Sequence, residues 1–252
     1  MKEKRIYQIA DYIQSMGVVS MDELCEHFAI SMSTLRRDIN ILLSQNSVQK
    51  VYGGVASKEH GLIPFENRDT INKSDKSLIA KKAAQLIDSN ELIFIDSGTT
   101  TRDILKYLPE KVTKLTILTN NLDVINDVAD RPDISLLVLG NIFKHSTRSF
   151  VGNDTLDIIE KYNINKAFMA ATAVSIENGL TNSDIQEYEL KKRIVRKAHQ
   201  VYLLADASKF DHATLLTYAL LTDLSAIVTS KAIPEKYRHY FEDHNIDVFL
   251  CK

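Results

Sequence analysis

The chain has 252 residues, of which 44% are apolar and 25% charged, an ordinary balance for a folded globular protein and a poor one for disorder or a collagen-like chain. Thirty-one basic and 33 acidic side chains give a net charge of −2, so the molecule as a whole is no polycation and any nucleic-acid footprint has to be local. No run approaches the roughly 18 apolar residues of a spanning helix, the first residues lack the apolar core of a signal peptide, and Cys25 and Cys251 form no CxxC, all of which fits a reducing cytoplasm and no membrane partner.

The first 44 residues are dense in helical pattern. Ile6, Ile9, Ala10, Ile13 and Met16 form one apolar stripe that Gly17 can close. Ser20 stands three residues before Glu23, a capping-box spacing, and Leu24, Cys25 and Phe28 give a short second helix its buried face. Ser31 is a plausible N-cap for a third helix with Leu35, Ile39 and Leu42 inward. The turn between helices two and three, around Phe28 to Ser31, is short enough to hold them at a steep angle.

That packing leaves Ser33, Thr34, Arg36, Arg37 and Asn40 outside, with Ser31 at the helix start. Arginine matches the edge of guanine in a major groove, and hydroxyls at a helix N-terminus suit phosphate. Between Ser31 and Lys58 the only acid is Asp38 against four basic residues. Val48 to Tyr52 reads as the last strand of a β-wing that offers Lys50 and Tyr52 to a DNA backbone, with Gly53 and Gly54 as its exit. On these features alone a DNA-binding unit, a protein-contact domain and a winged RNA-binding module all remain open.

Residues 52–75 are rich in Gly, Asn, Asp and Lys, which places a linker at 58–74 between a domain at 1–57 and one at 75–252; Ile63 and Phe65 could dock onto the second domain. Beyond it, an apolar-striped helix at 75–88 and helices near 104–109, 153–162 and 186–198 alternate with short apolar strands at 92–95, 115–118, 135–139, 167–170, 201–205, 226–228 and 247–250. Alternation of this kind implies a mostly parallel α/β sheet. Ligands of such sheets bind beyond the carboxyl ends of the strands, and those ends are polar: Asp96-Ser97-Gly98-Thr99-Thr100-Thr101, Thr119-Asn120, Gly140-Asn141, and Asp206 with Lys209. Hydroxyls and a glycine leading into a helix N-terminus could cradle phosphate, though a turn with no phosphate affinity would look the same. GxGxxG, GxxxxGK[ST] and HExxH are all absent, so no metal, catalytic or cofactor residues are assigned. Glu189 with Lys191 supplies an acid and a base, the minimum for an isomerase-like enzyme, but the same pair on a helix is commonly surface decoration.

Residues 5–56 resemble the N-terminal domain of the DeoR family of bacterial transcriptional regulators through Asp22-Glu23-Leu24-Cys25, Ile30 to Ile39 and Val51 to Ala56. Two departures are Asn46-Ser47 in place of the family's glycine turn and Tyr52 in place of its histidine. Residues 75–210 are similar to that family's effector domain, whose fold is like that of ribose-5-phosphate isomerase, through Asp96 to Thr100, Thr119-Asn120, Ser149 to Gly152, Asn178 to Thr181, Glu189 to Lys192 and Leu204 to Phe210. Gly140-Asn141 stands where the family pairs two glycines. The resemblance implies a winged helix-turn-helix joined to an α/β sensor. It implies a repressor of a sugar-metabolism operon, bound to a double-stranded operator as a dimer or tetramer and released by a phosphorylated sugar. By carry-over Ser97 to Thr101 would receive the phosphate and Lys191 and Lys209 would add charge. Asp96, Asp184 and Glu189 would meet sugar hydroxyls or hold the lysines, with Asn120, Gly140, Gly152 and Asp206 completing the pocket.

Overall fold

A computed structural model of the chain describes residues 2–16, 18–45, 47–51, 54–57, 65–152 and 155–251. The chain divides into two compact units, Met1–Ile71 and Asn72–Lys252. Gly17, Asn46, Tyr52, Gly53 and Ile63, each given a part in the sequence reading, lie outside the described residues.

The first unit runs α1 (Lys2–Met16), β1 (Val18–Ser20), α2 (Met21–Phe28), α3 (Met32–Ser44), β2 (Val48–Val51), β3 (Gly54–Ser57) and α4 (Phe65–Asp69). The Ser20 hydroxyl accepts from the Glu23 N–H and starts α2. Ala29, left-handed at φ 49°, ends α2, and Ser31 caps α3 two residues later. The apolar stripes meet in one core: Ile9, Ile13, Leu24 and Leu35 have no exposed surface, and Ile39 and Leu42 are buried beside them.

The wing differs from the sequence reading. Residues 48–51 are not its last strand but its first, since β3 pairs antiparallel with both β2 and β1 in the order β1-β3-β2. Gly54 opens β3 instead of leading out of the wing. A Cβ there would lie 2.2 Å from the Val19 carbonyl oxygen, so only glycine lets β3 close onto β1. The stretch 58–74, read as linker, contains α4 and the start of the next helix.

The second unit opens with α5 (Lys73–Ala84) and β4 (Leu92–Ile95), followed by β5 (Leu115–Thr119), α6 (Leu122–Ala129), β6 (Ile134–Val138), β7 (Ile142–Lys144), β8 (Ser149–Val151) and α7 (Thr155–Ile159). It continues with β9 (Lys166–Met169), β10 (Ala173–Ser175), β11 (Gly179–Asn182), α8 (Ile185–Lys197), β12 (Gln200–Leu204), β13 (Leu216–Ala219), β14 (Ala226–Thr229), α9 (Glu235–Asp243) and β15 (Asp247–Leu250). Seven strands form a parallel sheet, order β15-β14-β12-β9-β4-β5-β6. One core cluster holds Phe94, Met169, Leu203 and Ile227, another Ile93, Ile95, Phe168 and Leu204. Neighbouring residues of one strand thus fall in different clusters, as expected of a sheet buried on both faces.

Two features had no counterpart in the strand pattern: a hairpin of β7 and β8, and an antiparallel sheet β10-β11-β13. The expected helix after Asp96 to Thr101 is only a 3₁₀ turn, Ile104–Tyr107.

Leu35 is fully buried while Arg36 beside it is exposed. Leu35→Ala is expected to cost about 2–5 kcal/mol, read as a lower urea midpoint for the first unit. Arg36→Ala should leave the unfolding free energy within about 0.5 kcal/mol of the parent chain, with no resolved shift of that midpoint.

Candidate functional site

Two surfaces gather the polar residues singled out by the sequence, one in each unit. In the first, α3 turns Leu35, Asp38, Ile39 and Leu42 inward and leaves Ser33, Arg36, Arg37 and Asn40 exposed. Ser31 accepts from the Thr34 N–H at 3.3 Å, and its hydroxyl lies 3.1 and 3.0 Å from those of Ser33 and Thr34. Three hydroxyls therefore cluster at the first turn of the helix.

Asp38, the only acid of α3, is withdrawn from this face. Its Oδ2 accepts from Arg5 Nε on α1 at 2.7 Å, and its side chain is 1% exposed. The outer face of α3 is left with arginines and no opposing carboxylate of its own. Arg36, Asn40 and the exposed Lys50 of β2 line a groove of about 420 Å³ between helix and wing, floored by Met21, Ile39 and Val55.

In the second unit the strand ends converge around Asp96. Its carboxylate closes β4, and Oδ2 accepts from the Ala170 N–H at 2.8 Å and from Lys191 Nζ of α8. Lys191 also donates to the Ala170 carbonyl at 3.1 Å, as does the Tyr218 hydroxyl of β13 at 3.0 Å, and Nζ lies over the Tyr218 ring. Burial, reinforced by the Asp96 charge, pushes the Tyr218 phenol well above its ordinary pKa, so it stays a neutral donor. Asp96 Oδ1 is buried without a partner among the described residues.

The turn that follows is held by its glycine. A Cβ on Gly98 would lie 2.2 Å from that of Ala170, so the chain packs directly onto the end of β9. The Thr101 hydroxyl is shared between the carbonyls of Asp96 and Gly98, which fixes the turn from within and leaves no hydroxyl proton for a ligand. Ser97, Thr99 and Thr100 are buried, and Ser97 Oγ donates to Glu187 at 2.9 Å. A phosphate-ready helix N-terminus is not formed here, because only a single 3₁₀ turn follows.

Glu187 is the residue the sequence reading missed. Its Oε1 accepts from Ser97 and from Ser149 of β8 at 2.8 Å, and Oε2 from Asn182 of β11 at 3.3 Å. Glu189, proposed in its place, is exposed on the other side of α8. The signal was helical spacing: 187 and 191 are four apart and share a face, whereas 189 and 191 are two apart and do not. The acid–base pair imagined for an isomerase is therefore not assembled by Glu189 and Lys191.

The remaining candidates divide into polar groups and spacers. Asn120 donates from Nδ2 to the Phe150 carbonyl at 3.2 Å, and its buried Oδ1 has no partner among the described residues. Gly140 has φ 93° and Gly152 φ 152°, and a Cβ on either would clash, with Phe150 and with Asn141 respectively. Both glycines thus serve the seating of the β7–β8 hairpin. Asp184 caps α8 through the N–H groups of Gln186 and Glu187 and pairs with Lys144 of β7, not with Lys191. Asp206 accepts from the Ser208 N–H at 2.9 Å and from Asn72 at 3.2 Å, two strands along the sheet from Asp96. Burial works to raise the Asp206 pKa, but Lys209, the Ser208 bonds and Lys76 outweigh it and hold the carboxyl below its usual range. Lys144 and Lys76 are cations of this region that the sequence reading did not single out.

Two family models match the chain: a DeoR-like helix-turn-helix domain over residues 5–60 and a DeoR C-terminal sensor domain over residues 71–231. Among curated proteins the chain is 50% identical to the HTH-type transcriptional regulator IolR of Bacillus subtilis (strain 168), over the whole of both chains. It is 29% identical to the glycerol-3-phosphate regulon repressor of Escherichia coli (strain K12), covering 96% of each. Among solved structures, ribose 5-phosphate isomerase A of Neisseria gonorrhoeae aligns with 57% of this chain and 55% of its own at 18% identity and a TM-score of 0.40. The matches cover both units, and the chain belongs to the DeoR family of helix-turn-helix transcriptional regulators with a C-terminal sensor domain.

Proposed function

We propose that the chain is a repressor of a sugar-metabolism operon, released from its operator by a phosphorylated sugar. The observation that carries the DNA half is the outer face of α3, where Arg36, Arg37 and Asn40 are exposed and Asp38 is turned inward to Arg5. Such a helix reads base edges in a major groove while Ser31, Ser33, Thr34 and Lys50 take phosphates. Residues 1–57 would form the DNA-binding domain, 58–74 the connection and 75–252 the sensor. One winged module buries too little surface for tight specific binding, so the regulator works as a dimer or larger assembly.

The sensor half is supported by the polar strand ends around Asp96, by the relative that represses a glycerol-3-phosphate regulon, and by the sensor-domain match. In this reading the turn from Ser97 to Thr100 receives the phosphate, with Lys191 and Lys209 adding charge and Lys144 at the hairpin. Asp96, Asn120, Asp184 and Asp206 meet hydroxyls or hold those lysines. The ligand acts by population shift, favouring sensor geometries that misplace the DNA-binding units.

Operator capture from the genome, followed by release with a panel of sugar phosphates, tests both halves. Arg37→Ala is expected to weaken operator affinity by about 1–3 kcal/mol, roughly tenfold or more, with assembly unchanged. Unaltered affinity and salt dependence in that variant would remove α3 from the interface.

Thr99→Val and Lys209→Met should leave operator affinity within about twofold of the parent and blunt release by whichever sugar phosphate acts in the panel. Equal release of parent and variants, followed by gel shift, would move the effector site away from the Ser97–Thr100 turn.

A further inference from the structure

We propose that the hydrogen bond between Asn72 and Asp206 is a latch through which the sensor's strand ends act on the chain leading to the DNA-binding unit, and that a phosphate drawn to Lys209 opens it. The inference rests on the reading above that a phosphorylated sugar binds at those strand ends, and it names the bond through which that ligand acts.

Asn72 is the first residue of the second unit, and its peptide bond to Ile71 joins the two units along the chain. It is left-handed, at φ 50° and ψ 34°, a conformation uncommon outside glycine and one in which asparagine is enriched. An asparagine at a helix start ordinarily caps the helix, yet among the described residues this side chain makes no capping bond to α5. Its Nδ2 donates instead to Asp206 Oδ1 at 3.2 Å, 134 positions along the chain.

Asp206 stands just past the end of β12 and is 2% exposed. The same Oδ1 accepts from the Ser208 N–H at 2.9 Å and from the Ser208 hydroxyl. Among the described residues the bond to Asn72 is the longest of the three and the one that comes from outside the Ala207–Lys209 turn. Burial works against the charge on this carboxyl, and Lys209, at the end of that turn, does most to hold it, ahead of Ser208 and Lys76. A phosphate at Lys209 takes up that cation and sets a second anion beside a buried carboxylate, where like charges are poorly screened. It also pulls on the turn whose Ser208 orients Asp206. The longest bond is the first to yield.

α5 itself does not follow. Ile79, Ala80 and Ala83 are wholly buried, and Asp75 in its first turn pairs with Lys231, just past β14, at 2.9 Å. Opening the latch therefore frees Asn72 and the chain before it while the sheet and the helix stay in place. Each residue has two soft backbone angles, and once untethered Asn72 can leave the left-handed region and redirect everything on the Ile71 side. The operator-competent arrangement loses population without any unfolding of the sensor.

Exchanging the pair tests this on the full chain. Asn72→Asp keeps a residue that tolerates the left-handed region but sets two carboxylates together. With no sugar phosphate present, its operator affinity by fluorescence anisotropy is expected to fall about fivefold or more. Asn72→Gly, which keeps the backbone conformation and loses only the side chain, should weaken binding in the same direction. Asn72→Asp combined with Asp206→Asn rebuilds the bond in the reverse sense and should return affinity to within about twofold of the parent. Circular dichroism melts check that each variant is folded. Parent-like affinity in both single variants, or a loss that the exchange does not repair, would overturn the latch and leave the effector reading standing. The same operator assay with ribose 5-phosphate, glucose 6-phosphate, fructose 6-phosphate and glycerol 3-phosphate tests the opener. Where one of them releases the parent, Asn72→Asp should have less release left to give. A parent that all four leave on its operator, beside variants that behave as expected, would remove phosphate as what opens the latch.

Discussion

The sensor unit is organised by one buried ion pair. Asp96 and Lys191 are 0% and 5% exposed, and their contact ties the end of β4 to the middle of α8. Two charges removed from water repay their desolvation only when the remaining hydrogen-bonding capacity is also used. Here part of it is used at Ala170, whose N–H goes to Asp96 and whose carbonyl accepts from Lys191 and from Tyr218, while Asp96 Oδ1 finds no partner among the described residues. A residue with no functional side chain thus joins β4, β9, α8 and β13 through its backbone. Losing either charged partner would strand the other in a dry site, at a cost of about 3–5 kcal/mol. The pair therefore has a structural role whatever else it does.

The first unit solves a related problem in the opposite way. Adjacent arginines on one helix invite a local acid as counter-ion, and Asp38 is next in sequence. Its side chain points inward because position 38 lies three residues after Leu35 and four before Leu42, on the buried stripe. The carboxylate is desolvated and takes its cation from α1 instead. Burying the acid thus does two things at once: it anchors α1 to α3, and it keeps the arginine face free of internal neutralisation.

Most of the scaffold was legible because it follows from strong periodicity. The stripes of the first three helices and all seven parallel strands are written in apolar runs, and Ser20 and Ser31 mark helix starts by capping chemistry. What could not be read were elements whose buried side chains are polar. Ser149, Thr181 and Asn182 are essentially inaccessible, yet hydropathy marks them as loop. Their burial is tolerated only because each finds a partner across the chain, and such pairing has no local signature. The exchange of Glu187 for Glu189 has a different origin. There the sequence carried the answer, in the four-residue spacing from Glu187 to Lys191, and nearness along the chain was mistaken for nearness on the helix.

Glu187 also shows how events at the Asp96 turn would reach the rest of the unit. The Ser97 and Ser149 hydroxyls share one carboxylate oxygen, so neither is independent of the other. Any anion that draws the Ser97 hydroxyl away leaves Glu187 held by Ser149 and Asn182 alone. Ser149 faces Lys144 across the hairpin, and Lys144 pairs with Asp184, whose other oxygen caps the helix that carries both Glu187 and Lys191. The circuit of turn, hairpin and helix start thus meets at Glu187. A change in one bond is then shared among β4, β8, β11 and α8, because the buried donors in that circuit have no water to turn to.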